Sequence, residues 1–142
     1  MGSEITRDAQ YGDLLLMRDE GSLPSLGLMA GGTCDVLEHI NPEDEPQFLA
    51  NLAASLSSDG VAIIGMPSLE SQAYASPASL AGHVNCQSAP QLKAAMERHF
   101  GVVFMFSMND EVVHTGFHKM ANYIFAVAVG PRIADAPQAL PG

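Results

Sequence analysis

The stretch that decides the fold is Asp35-Val36-Leu37-Glu38-His39-Ile40, followed by Asn41-Pro42 and the apolar run Gly60-Val61-Ala62-Ile63-Ile64-Gly65-Met66-Pro67-Ser68. Between the two lies a helical pattern. Phe48, Leu49, Leu52, Ala53 and Leu56 make one apolar stripe at helical spacing. Asn41 or Asp44 can cap that helix, and Pro46 favours the later start with Asp44 as the cap. Gly60 reads as its stop. Val61–Met66 is apolar without alternation, the pattern of a strand covered on both faces of a parallel sheet.

Working outward, Leu26–Ala30 is a candidate strand before the Asp35 segment, and Gly31-Gly32 reads as a break after it. Leu14–Met17 is a short apolar run, and residues 1–10 read as loose. Asp19–Ser22 and Pro24 read as loop. Residues 67–87 form a long Ser-, Ala- and Pro-containing connection. Ser88-Ala89-Pro90-Gln91 is a capping-box signature, and Leu92, Ala95, Met96 and His99 continue a helical face up to Gly101. Val102–Met108 and Tyr123–Val129 are two further strands, joined by a polar loop with no convincing helix. The alternation of strand and helix is an α/β order.

This succession resembles the second half of a class I S-adenosylmethionine-dependent methyltransferase of the small-molecule type. In that family a strand runs into a D/E-x-L-E-H segment, then a helix, then an apolar strand ending near proline. The resemblance covers roughly residues 26–130 and implies a partial Rossmann-like, methyltransferase-type sheet. That sheet would be mostly parallel, with an antiparallel C-terminal strand pair and helices on both faces. Residues 1–25 would be an N-terminal segment able to cover a sheet edge, and 131–142 a flexible tail. The family's full domain has three more strand–helix units, each of about 30 residues, before the strand that leads into the motif, and about 25 residues precede that strand here. The glycine-rich turn that seats the cofactor is therefore expected to be missing, and Gly31-Gly32 lacks the spaced glycines that would replace it. The strand near residue 28 would then expose an edge. Either Leu14–Met17 folds onto that edge, or two chains join across it as a homodimer.

The resemblance further implies S-adenosylmethionine contacts at Cys34 and Asp35 and a small-molecule acceptor near Cys34–His39. Some relatives with an E-x-x-E-H motif and a later histidine bind a divalent metal. Here Asp35, Glu38 and His39 would share one side of a helical turn, with His83 as the later histidine. His39 or His83 could instead act as a general base, since imidazole titrates near neutrality. Three functions follow as expectations: a methyltransferase-like enzyme, a non-catalytic dimeric remnant or interaction module, and a divalent-metal-binding protein using Asp35, Glu38, His39 and His83.

Composition narrows the partners. The chain has 142 residues, 47% of them apolar, enough for one domain with a real core. The net charge is −10, and no Lys or Arg lies between Arg18 and Lys93. Phosphate backbones and anionic membrane surfaces both need clustered cations, so neither nucleic acid nor a membrane is an expected partner. Cys34 and Cys86 form neither a C-x-x-C pair nor a disulfide framework. A cytoplasmic location is the default reading.

Overall fold

In the computed structural model, residues 4–8, 14–18, 28–110 and 112–132 are described. Seven strands form one sheet in the order β1-β2-β3-β4-β7-β5-β6. The strands are β1 (Glu4–Asp8), β2 (Leu14–Arg18), β3 (Leu28–Cys34), β4 (Leu56–Pro67), β5 (Phe100–Asn109), β6 (Val112–His114) and β7 (Tyr123–Pro131). The helices are α1 (Glu45–Ser55), α2 (Pro77–Gly82) and α3 (Ala89–Glu97).

The expected mostly parallel, Rossmann-like sheet is not what forms. Among the described strands β3 and β4 are the one parallel pair, and the other five pairings are antiparallel. The reason is connection length. A parallel return needs a crossover of a dozen residues or more, which α1 supplies between β3 and β4. Between β5 and β7 the described residues hold only β6 and a 3-10 turn, with no crossover helix. The chain therefore re-enters the sheet in reverse and slots β7 between β4 and β5, antiparallel to both.

Helices on both faces are likewise not found among the described residues. Leu49, Leu52 and Ala53 of α1 and Leu92, Ala95 and Met96 of α3 share a single core with Ala62, Ile64 and Met66 of β4 and Ile124, Ala126 and Ala128 of β7. Right-handed crossovers advancing the same way across a sheet deliver their helices to the same side. The alternate residues show the consequence: Ile63, in the middle of β4, is 42% exposed while Ala62 and Ile64 are fully buried. Val61–Met66 is thus not a strand covered on both faces.

Several local readings are also revised. Gly31 and Gly32 lie inside β3, paired to Leu16 and Leu15 on one side and to Ala62 and Ile63 on the other. Gly60 does not stop α1, which ends at Ser55, but sits within β4. Residues 4–8 are a strand rather than a loose segment. The connection after β4 contains α2, and the 109–122 loop contains β6 and a 3-10 turn at His118–Met120. The readings of Asp19–Ser22, Pro24, Leu26-Gly27 and residues 133–142 lie outside the described residues. Asp44 is the N-cap of α1, with Pro46 in its first turn. Gln91 Oε1 accepts the Ser88 backbone N–H at 2.9 Å to open α3.

The core leaves little room for adjustment. Leu49 is 1% exposed and packs in the cluster that joins α1 to the sheet. Leu49→Ala should cost about 2–5 kcal/mol, read as a lowered midpoint in urea unfolding with an unchanged slope.

Candidate metal centre

The site lies where the parallel pair β3/β4 ends. The Asp35 N–H donates to the Gly65 carbonyl at 3.1 Å, a last rung beyond the strand. Asp35 then takes a left-handed φ of 58°, which turns the chain off the sheet. Val36 and Leu37 are buried there, so the 3-10 turn Leu37–His39 is anchored from below. Glu38 is carried inward, 1% exposed, while His39 stays half-exposed above it.

A second segment is clasped onto this turn. The N–H groups of Val84 and Asn85 both donate to the Glu38 backbone carbonyl, at 2.8 and 3.0 Å. Farther along, buried Glu45 at the start of α1 accepts from the Asn85 Nδ2 at 2.7 Å and from the Gln87 Nε2. The Leu69 N–H donates to the Gln87 carbonyl at 2.9 Å. These bonds hold residues 84–87 against the turn and bring His83 over His39, ring centroids 5.2 Å apart and edge-on.

The tautomers follow from the partners. His39 Nδ1 lies 2.7 Å from the Gly82 carbonyl, which can only accept, so this nitrogen carries the proton. His83 Nδ1 lies 2.9 Å from Gln72 Oε1. The Gln72 amide is oriented by its own Nε2, which donates to the Ser68 carbonyl at 3.2 Å, so its oxygen faces the ring and His83 Nδ1 is also a donor. Each imidazole thereby keeps its Nε2 lone pair free. His39 Nε2 is 3.9 Å from Glu38 Oε1. One donor atom from each of Glu38, His39 and His83 lies within 4.8 Å of the others. Glu38 Oε2 is buried with no hydrogen-bond partner. Burial, helped by the charge of Asp35, pushes the Glu38 carboxyl above the usual carboxylate range.

Of the four ligands read from the sequence, three come together and Asp35 does not join them. Its left-handed backbone precedes the 3-10 turn, and its carboxyl remains close enough to Glu38 to help raise that group's pKa. Cys34 is exposed at the end of β3. Its pKa is raised chiefly by burial, and Tyr123 is its neighbour. The Tyr123 ring lies over Gly65, where a Cβ would stand 2.7 Å from Cε1. His99, His114 and His118 are not part of the cluster. His114 Nδ1 accepts the Gly116 N–H at 3.1 Å.

Sequence reasoning missed Gln72, Tyr123, the Gly82 carbonyl and the Glu45–Asn85–Gln87 clasp. Backbone carbonyls leave no mark in a sequence. The nearest signal was three amide side chains, Gln72, Asn85 and Gln87, in the long connection after β4.

No protein-family model matches the chain, and neither does any curated protein or solved structure. Nothing in these comparisons identifies a methyltransferase family. Among the described residues no helix is long and apolar enough to cross a membrane.

Cys86 borders the site, and burial together with the Glu38 charge pushes its thiol up to about 11. Thiolate is the reactive form. In chelator-treated protein at pH 8, Cys86 should alkylate with iodoacetamide about 100-fold more slowly than an ordinary thiol, by the two-unit displacement from 9.0. Peptide mass spectrometry of the time course reads this directly, and labelling as fast as free cysteine would contradict the partly buried placement beside Glu38.

Proposed function

We propose that this protein binds a divalent transition-metal ion through a Glu38 carboxylate oxygen, His39 Nε2 and His83 Nε2. One observation carries the reading. Two imidazoles, each fixed at Nδ1 by a carbonyl oxygen, leave their free nitrogens beside a buried carboxylate that has an oxygen without a partner. Metal-ligating histidines characteristically donate their other N–H in this way, which fixes ring orientation and tautomer. A buried carboxylate oxygen without a partner is costly, and a cation supplies the missing contact.

The donor set narrows the ion. Two imidazoles and one carboxylate suit zinc or ferrous iron, whereas magnesium and calcium take oxygen ligands. Three protein donors leave a coordination position for water or a small molecule, as in sites that polarise a bound oxygen. The methyl-transfer reading, with S-adenosylmethionine at Cys34 and Asp35, rests on the sequence resemblance alone. The mostly parallel sheet it implied is not formed.

Calorimetric titration of the chelator-treated chain with Zn²⁺ should give saturable binding with one ion per chain. His39→Ala and His83→Ala should each weaken it at least tenfold, and unchanged affinity in His39→Ala would remove the proposal. Glu38→Gln separates a ligand from a merely structural acid. The raised Glu38 pKa means that its burial favours the protonated form. That contribution is complete below the unfolded value of about 4.3 and is lost as pH rises through the folded value. At pH 7 the metal-free Glu38→Gln protein should therefore melt no lower than the parent, while its zinc-induced rise in Tm disappears. A lower melting temperature with the zinc response intact would mark Glu38 as structural only.

A further inference from the structure

Across β4, β7 and β5, the sheet face turned away from α1 and α3 is apolar and partly exposed. Along it Ile63, Val127 and Phe104 form one row across β4, β7 and β5, and Phe125 and Phe106 form the next. The two phenylalanine rings stack with centroids 5.4 Å apart and planes 18° apart. Val102 is 48% and Phe104 55% exposed. Residues 61–67, 102–108 and 123–129, which build this part of the sheet, include no charged residue and no histidine. Scattered single hydrophobics need no explanation, but a continuous patch across three adjacent strands does.

We propose that a second copy of this chain covers the face, the two sheets packing as a sandwich. Size is the first argument. Three strands about 4.8 Å apart and four rows about 6.8 Å apart give roughly 400 Å² per copy in plan. With side-chain relief, two copies bury on the order of 1,000 Å², which meets the lower bound for a specific interface. Charge is the second. Each chain carries −10 overall, so two copies repel except where the surface is neutral, and this face is neutral. A charged partner surface would lose water here and find no counter-charge, whereas the patch set against itself under a two-fold axis leaves nothing unpaired. Aligned sheets interdigitate across about 10 Å, which suits rows of Ile, Val and Phe. The interface does not use the β3 edge that the sequence offered, because β2 pairs there.

The test is the solution mass of the full chain by light scattering over 5–200 µM (about the range a moderate interface requires). The parent should run at twice 15.0 kDa at the upper end. Phe104→Glu should run at the monomer mass, and Phe104→Lys likewise. An equimolar mixture of the two should recover the doubled mass through opposite charges facing across the interface. Val112→Glu, on the exposed edge strand β6, should remain doubled. Carbene footprinting of the parent needs no variant: labelling of Ile63, Val102 and Phe104 should fall as concentration rises. A monomeric parent with concentration-independent labelling would overturn the proposal. So would a doubled mass that Phe104→Glu leaves unchanged, or a monomer that instead floats with neutral lipid vesicles.

Discussion

Two backbone N–H groups converging on one carbonyl hold the site together. Glu38 belongs to a turn that leaves β3, and His83 belongs to a segment reached only after α1, β4 and α2. The donation from Val84 and Asn85 to the Glu38 oxygen is what joins them. Once the two segments are tied, His83 has little choice but to lie over His39. The buried Glu45 carboxylate, accepting from Asn85 and Gln87, ties the same loop to the first turn of α1. The loop is therefore fixed at both ends by groups whose own bonding would be lost if it lifted. Such a clasp is a stiff support for a pair of imidazoles. It also explains how the end of a long connection can hold a defined place without a core of its own.

The direction of the chain decides everything on the other side. Because α1 and α3 arrive by crossovers of the same hand moving the same way, one face of the sheet receives both, and the opposite face receives neither. Reversal at β7 compounds this, since a strand that returns antiparallel brings no helix with it. The same topology also puts the ends of β3 and β4 side by side with the turn and loop above them. Thus one arrangement accounts for the ligand cluster at the strand ends and for the bare apolar rows beneath.

Much of this was legible locally and little of it globally. The α1 stripe and the α3 capping box are patterns within one turn or two, and they place the starts of those helices, whereas the ends at Ser55 and Glu97 fall short of the expected stops at Gly60 and Gly101. The apolar runs at 102–108 and 123–129 locate strands, but an unbroken apolar run reads the same whether helices cover one side or both. Nor does it reveal that β7 enters between β4 and β5. Gly31-Gly32 looked like punctuation because glycine is locally permissive, yet pairing on both sides of β3 overrides that tendency. Within the site, residue type singled out Glu38, His39 and His83. Asp35 was grouped with them on the assumption of a regular helical turn, which its left-handed backbone breaks. The carbonyls that set the tautomers were beyond reach, since Gly82 contributes only its backbone and Gln72 lies eleven residues from the ring it orients.

The central claim concerns two particular nitrogens, and nitrogen-15 NMR of the histidine side chains observes them. On addition of one equivalent of Zn²⁺, the Nε2 resonances of His39 and His83 should move together into the range of coordinated nitrogen. Their Nδ1 resonances should stay those of protonated, hydrogen-bonded nitrogen, and His99, His114 and His118 should not change. A response confined to the other three histidines, or loss of the Nδ1 protons of His39 and His83, would contradict the account.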